Sequence, residues 1–276
     1  MSVEPVLLFS QAPYGAKCKV LLRYVLCESR EPDAALSGRC LREYGFTPIE
    51  ISMCQATTNP EAMCLPGLHE AVVDQVSMRV QSARRVLDIA AGAGALTRRL
   101  IDAGFSVLAN DVDGSDWSVP EIDLMSVDLN TDFAEAFAPL AVEAIAAIEV
   151  IEHLENPREF LRRCRRIVPD GGFMFVSTPN VTSAASRGMF LRSGRTVFFD
   201  KSGPCAGDHI TLLPWWLLAE HAESTGWQIA EISFAGRYEN LGFKARLGRL
   251  AASLVGRWDH PGERKFGCTL MTLCRR

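Results

Sequence analysis

The feature that most constrains this chain is an alternation beginning at Val86, in which short apolar runs of strand length are separated by stretches with helical spacing. Residues 86–89, 107–109, 123–127, 144–148 and 173–177 read as strands bounded by Gly, Asp and Pro. Such runs are apolar on both faces, as parallel strands covered by helices on both sides must be. Between them, Leu96, Leu100 and Ile101 form one apolar helix face closed by Gly104. Asn156, Pro157 and Glu159 supply an N-cap, a first-turn proline and an N3 acid for a helix to about 168, ended by Pro169, Asp170, Gly171 and Gly172. A helix over 214–224, stopped by Gly226, precedes two consecutive late strands, 228–233 and 268–273. Consecutive strands favour antiparallel pairing. The pattern predicts an α/β fold: a Rossmann-like, doubly wound, mostly parallel seven-stranded sheet whose last pair is antiparallel.

The first 80 residues are less regular. Residues 17–27 and 33–44 read as helices, 48–51 as a short strand and 67–80 as a helix leading into the sheet. This predicts an N-terminal helical cap over 1–80 and a ligand-binding domain over 81–276, with inserted segments at about 181–213 and 236–266. Charge excludes one class of partner: 29 basic against 33 acidic residues, net −4, give no electrostatic reason to bind nucleic acid. No apolar run reaches the roughly 18–20 residues of a membrane span, and Met1 to Ser10 lack a basic n-region. A soluble cytoplasmic protein is expected. Nine cysteines form no CxxC pair, so they read as buried hydrophobes or inert thiols rather than zinc ligands or disulfides.

The chemistry starts where the first strand ends. Asp88 is followed by a turn of small residues, Ala90, Ala91, Gly92, Ala93 and Gly94, and then by a helix start. Small residues let backbone approach a ligand, and free amides at a helix start favour a carboxylate or phosphate. As a dinucleotide fingerprint the turn fails in part, because Thr97 stands where a third glycine belongs. Asp111 closes the second strand, 23 residues after Asp88, where a carboxylate can accept both hydroxyls of a ribose. Asp128 closes the third strand and could accept from an adenine amino group; taken alone it reads as a helix cap.

With these residues in place, the stretch from Val86 to Asn180 resembles a class I S-adenosylmethionine-dependent methyltransferase, and most of all the small-molecule O-methyltransferases of ubiquinone biosynthesis. The resemblance rests on Ile148-Glu149-Val150-Ile151-Glu152-His153-Leu154-Glu155-Asn156-Pro157, on Ile167-Val168-Pro169-Asp170-Gly171-Gly172 and on Val176-Ser177-Thr178-Pro179-Asn180. Gly207-Asp208-His209-Ile210 and Pro214-Trp215-Trp216-Leu217-Leu218 extend it toward enzymes that modify sugars and other glycan precursors. The resemblance implies S-adenosylmethionine as co-substrate, lying across the ends of the first two strands. Asp88, Ala90, Ala91, Gly92 and Gly94 would surround its amino-acid end, with Asp111 and Val112 at the ribose, Asp128 and Leu129 at the adenine, and Glu149 at the end of the fourth strand. Two departures stand out. Ala90 occupies the place of the turn's first glycine, which binding should tolerate if the backbone there is not left-handed. The crossover from Asp111 to Asp123 is too short for the usual second helix, which should leave the adenine pocket more open.

An oxygen acceptor of high pKa needs a base. His209 and His153 both lie beyond strand ends; His209, beside Asp208, is the expected base, with Asp208 fixing its tautomer. Glu149, Glu152 and His153 could hold a divalent cation, but capping of the next helix accounts for them and no metal is expected. Arg158, Arg162, Arg163, Arg165 and Arg166 read as a solvated helix face, with docking to an anionic carrier as the alternative. Leu247, Leu250, Ala251, Leu254, Val255 and Trp258 read as a packed cap helix, with a homodimer contact or contact with a membrane-bound substrate as the alternatives; Trp215 and Trp216 read as core. The expected function is biosynthetic methyl transfer to an oxygen of a small molecule or a sugar or glycan precursor. The competing readings are a nucleotide-dependent oxidoreductase and a catalytically silent cofactor-binding scaffold.

Overall fold

A computed structural model of the chain describes residues 5–11, 17–23, 60–81, 83–199, 208–237, 256–265 and 267–276. It divides into two compact units, residues 1–58 and 59–276. In the first, strand β1 (Pro5–Gln11) pairs antiparallel with β2 (Lys17–Arg23), from Pro5↔Arg23 to Gln11↔Lys17. The helix expected over 17–27 is therefore a strand where it is described. The apolar run at Val6 offers a pairing partner, and a ladder satisfies backbone groups that a short isolated helix would hold only marginally. The expected helix at 33–44 and strand at 48–51 lie outside the described residues, as does most of the helix expected from Leu247 to Trp258.

The second unit opens with α1 (Leu68–Arg79), followed by β3 (Arg85–Ile89), α2 (Ala95–Asp102) and β4 (Ser106–Asn110). Next come β5 (Leu124–Met125), α3 (Ala134–Phe137), β6 (Ala144–Ala147), α4 (Pro157–Ile167) and β7 (Phe173–Pro179). The described elements end with α5 (Ala184–Ser193), α6 (Trp215–Ser224), β8 (Trp227–Ala235) and β9 (Cys268–Arg275). The strands form one sheet in the order β5-β4-β3-β6-β7-β9-β8. The first five run parallel, and β9 is antiparallel to both β7 and β8. Strand order reverses between β3 and β6, and the crevice beyond those ends is where such sheets take ligands.

The alternation of β6 shows why its sequence makes a central strand. Ala144 and Ala146 face one core with Val86, Leu96 and Leu100, against which α1 lays Leu68, Val72 and Val76. Ile145 and Ala147 face the other core, where α4 contributes Phe160, Leu161, Cys164 and Ile167. Small alanines let helices approach both sides closely. Helix α4 starts as its sequence predicts: Asn156 Oδ1 accepts the Glu159 N–H at 3.1 Å, a cap worth about 1 kcal/mol. Its arginines are engaged locally: Arg162 with Glu159, Arg166 with Asp132, Arg163 with the Asn130 carbonyl, Arg158 with His221, and Arg165 with the carbonyls of Gly226 and Arg276. That supports the solvated-face reading.

No helix joins β4 to β5, as the short crossover predicts. Instead residues 111–123 fold back over the start of α2. Ser118 donates its N–H and hydroxyl to the Ala93 carbonyl at 3.2 and 2.8 Å, Trp117 Nε1 donates to the Ile122 carbonyl at 3.1 Å, and Val119 is fully buried. Strand β5 is shorter than the expected 123–127: the Met125 carbonyl still accepts the Asp111 N–H at 3.1 Å, whereas the Val127 carbonyl accepts from Asn110 Nδ2 at 3.1 Å.

The folded-back crossover depends on Gly94. That residue has φ +90°, and a Cβ there would collide with Val119 and lie 2.9 Å from Trp117. Gly94→Ala should cost about 2–3 kcal/mol, from left-handed strain plus crowding. Gly104, at φ +88° with nothing within 4 Å, is the control for strain alone, at about 1 kcal/mol. Equal losses for the two variants in chemical denaturation would show that the packed crossover adds nothing. Among the described residues no helix is long and apolar enough to cross a membrane.

Candidate active site

The turn after β3 holds three left-handed residues: Ala90 at φ +59°, Gly92 at +54° and Gly94 at +90°. The condition set for Ala90 is therefore not met. An alanine sits where glycine would be unstrained, at a cost on the order of 1 kcal/mol. The turn is closed by the Ala91 N–H donating to the Asn110 carbonyl at 2.9 Å and the Gly94 N–H donating to the Ala91 carbonyl at 2.9 Å. Ala91 and Gly92 stay half-buried on its surface.

Asp88 lies beneath this turn, only 2% exposed, with Oδ2 accepting the Thr97 hydroxyl at 2.6 Å. Burial pushes its carboxyl up to about 7. Thr97, which breaks the dinucleotide fingerprint, thus has a positive role as the partner of that acid. Any contact from Asp88 to a ligand would pass through the turn.

Asp111 sits at the end of β4, half-buried. Its Oδ2 accepts the Gly92 N–H at 2.7 Å and its Oδ1 accepts the Asp113 N–H at 3.1 Å. The turn and the carboxylate are therefore one structure, brought together by the parallel pairing of Ile89 with Asn110. Val112 is exposed. Asp128 is also exposed, and its Oδ1 accepts the Asn130 N–H at 2.9 Å in a local turn; it is not the helix cap read from sequence, since α3 starts at Ala134 with Phe133 at its N-cap. Leu129 beside it is buried in the core. On the expectation that Asp111 accepts the ribose hydroxyls of the donor, Asp111→Ala should weaken S-adenosylhomocysteine binding by about 1–3 kcal/mol, the scale of hydrogen bonds to a charged group. Unchanged affinity by calorimetry in a folded variant would take Asp111 out of the site.

Beyond β6, Glu149 adopts φ +53°. Its N–H donates to Ser177 Oγ at 3.0 Å, and its carboxyl accepts the Ser177 hydroxyl at 2.7 Å and the Cys268 thiol at 3.2 Å. Burial raises its pKa. Glu149 is thus turned toward β7 and β9. Glu152, in a 3₁₀ turn over Ile151–His153, is fully buried. Thr178 is the hydroxyl facing it, yet neither carboxyl oxygen makes a well-formed hydrogen bond. Burial, and then the nearby Glu149, raise its pKa well above the usual range.

The two histidines, 56 residues apart in sequence, meet here. The Glu152 carbonyl accepts the N–H groups of Ile210 and Thr211 at 3.0 and 2.9 Å, which pins the later connection to the earlier turn. The rings of His153 and His209 are 4.7 Å apart and nearly perpendicular. Asp208 does not hold His209 as expected: its backbone carbonyl lies 2.9 Å from His153 Nδ1. A one-residue step along the extended connection sends the two groups in different directions. The His209 ring instead shares a hydrogen bond with the Phe198 backbone and packs at 5.2 Å from Phe199, leaving Nδ1 buried without a partner. Burial, and then the neighbouring His153, lower its pKa. The phenylalanines carry no sequence signal for this role.

Glu152, His153 and His209 bring ligand atoms within 4.8 Å of one another. The trio that sequence spacing suggested for a cation is therefore changed, with His209 in place of Glu149. A buried carboxylate without a hydrogen-bond partner beside two imidazoles is a donor set that fits a divalent transition metal.

A family profile described as a methyltransferase domain matches residues 62–245. The chain is 31% identical over 129 residues to a ubiquinone biosynthesis O-methyltransferase of Xanthomonas oryzae pv. oryzae, covering 44% of this chain and 54% of that protein. It is 33% identical over 131 residues to the protein of that name from Xylella fastidiosa, covering 44% and 52%. The matches thus span about half the length of these curated relatives. Among solved structures, a SAM-dependent methyltransferase from Archaeoglobus fulgidus aligns with TM-score 0.51 and 16% identity, over 75% of this chain and 94% of that one. Magnesium protoporphyrin IX methyltransferase from Synechocystis PCC 6803, solved with bound SAH, aligns with TM-score 0.50 and 14% identity, over 75% and 82%. At such identities these structures speak to the fold alone.

Proposed function

This chain belongs to the class I S-adenosylmethionine-dependent methyltransferase family, and from that premise we propose that it transfers a methyl group to an oxygen of a small-molecule or glycan-precursor acceptor. Membership in this family replaces the oxidoreductase reading. The observation that carries the oxygen-acceptor proposal is the His153–His209 pair over Glu152, beyond the strand ends, where an acceptor would approach a sulfonium held across β3 and β4. The relatives named as O-methyltransferases support the same choice of atom.

S-adenosylmethionine supplies an electrophilic methyl carbon. The acceptor oxygen attacks it in line as the carbon–sulfur bond breaks, and the bonding pair leaves on sulfur to give S-adenosylhomocysteine. The chain's contribution is alignment and exclusion of water, together with removal of one proton. The Ala90–Gly94 turn and Asp111 hold the donor. His209 takes the acceptor proton on Nδ1, the ring atom without a partner. If a divalent cation occupies Glu152, His153 and His209, it would supply Lewis-acid stabilisation of the developing alkoxide or phenoxide.

The test is production of S-adenosylhomocysteine with matched acceptors that carry a hydroxyl or an amine on one skeleton. Turnover with the hydroxyl member supports the proposal; turnover with the amine alone overturns the choice of oxygen. A protein that binds S-adenosylhomocysteine but turns over no acceptor would favour the silent scaffold.

Asp128 is assigned to the adenine amino group. An S-adenosylhomocysteine analogue lacking that group should bind the wild type about 3–10-fold more weakly, the scale of one hydrogen bond. It should lose little in Asp128→Ala. Equal losses in both proteins would leave Asp128 with only its local turn contact.

A further inference from the structure

A cavity of about 470 Å³ lies between the segment 181–196, which carries α5, and the segment that leads into the first turn of α6. It begins at Val181, two residues past the end of β7, and its far wall, Pro214 and Trp216, follows His209 by a few residues. Phe190 and Leu191 of α5 complete an apolar lining. Of the eight large hydrophobic residues exposed among the described residues, five are on these two segments: Phe190, Leu191, Ile210, Leu212 and Trp216. Trp216, read from sequence as core, is 47% exposed. A concentration of this kind, on segments that continue directly from the end of β7 and from His209, marks a binding surface rather than scattered surface apolarity.

The polar groups of the cavity narrow its occupant. Arg187 is its cation, but that guanidinium is already committed. Nε donates to the Thr182 carbonyl at 2.9 Å, one terminal nitrogen to the Arg257 carbonyl at 2.7 Å and the other to Glu263 at 2.5 Å, and the plane stacks 4.2 Å from the Trp258 ring. An anion would have to break these contacts. Two hydroxyls remain: Ser186 Oγ and Thr196 Oγ1 are buried without a hydrogen-bond partner. A bare sugar would bury several hydroxyls against a lining that can answer few of them, and each one left over is costly.

We propose that this cavity is the acceptor subsite and takes a neutral acceptor with an apolar arm or ring, whose few oxygen substituents meet Ser186 and Thr196. The inference rests on the methyl-transfer reading above and selects, within it, against an unadorned sugar.

The test uses the full chain and 4-n-alkylphenols of increasing length as probes, because they join one oxygen to an apolar arm of adjustable size. Calorimetry in the presence of S-adenosylhomocysteine should show affinity rising about three- to fourfold per added methylene until the cavity is full. Leu191→Asp, at a position 83% exposed and so harmless to folding, should flatten that dependence while S-adenosylhomocysteine affinity stays at the wild-type value. A wild type that does not bind S-adenosylhomocysteine would count against the methyl-transfer reading itself. Normal S-adenosylhomocysteine binding with no dependence on chain length, or a dependence unchanged in Leu191→Asp, would overturn the subsite alone. If the wild type sediments with phosphatidylcholine vesicles, Leu191→Asp does not, and both bind the alkylphenols equally, the patch is a lipid-docking face and the proposal falls.

Discussion

His209→Ala is expected to leave S-adenosylhomocysteine affinity near the wild-type value and to lower turnover of a hydroxyl acceptor by about a hundredfold or more. The proposed cofactor side, the Ala90–Gly94 turn and Asp111, is closed by hydrogen bonds that involve neither histidine, so binding and turnover should separate. The loss reflects removal of the base whose Nδ1 has no competing partner. His153→Ala should be milder, since its Nδ1 already engages the Asp208 carbonyl. Treatment with a chelator separates the two roles open to His209. Turnover that survives chelation but is lost in His209→Ala assigns it as base. Turnover lost on chelation and restored by added Mn²⁺ or Zn²⁺ assigns Glu152, His153 and His209 as ligands. Retained turnover in His209→Ala with loss in a folded His153→Ala would reverse the assignment.

Asp88→Asn should stabilise the free protein at neutral pH and do little in acid. The unfolded carboxyl ionises near its ordinary value of 3.8, whereas the folded one is pushed up to about 7 by burial beneath the turn. Between those values the folded state keeps a proton that the unfolded state has released. The contribution of Asp88 to stability is therefore greatest below about pH 4, falls as pH rises toward 7, and levels off above it. Asn cannot titrate, yet its side-chain oxygen can still accept the Thr97 hydroxyl. The gap between the two proteins should open from pH 4 to 7 and reach at most about 4 kcal/mol, the upper bound for a shift of about three units. Parallel stability–pH curves for wild type and variant would mean that Asp88 is not the buried acid described.

Periodicity made the sheet legible. The central strands of the larger unit were readable because their side chains must be apolar on both faces, and the caps of α4 because Asn, Pro and Glu act on their own backbone within one turn. The turn after β3 and the carboxylate of Asp111 were readable for a related reason: parallel register places successive strand ends side by side, so their spacing carries over into space. Residues 17–23 were misread because an isolated seven-residue run contains no record of the strand it pairs with.

The amino-acid sequence by itself determined the fold class, the family motifs and the small-residue turn with its facing carboxylate, because each depends on local spacing or on register repeated along the chain. The tertiary structure alone decided the rest. It set Ala90 in a left-handed backbone, gave Thr97 to Asp88, turned Glu149 toward Ser177 and Cys268, and joined His209 to His153 through the Glu152 carbonyl. Each of these is fixed by which distant groups share a buried space and must satisfy one another's hydrogen bonds. That requirement acts between segments tens of residues apart and leaves no periodic trace in either of them.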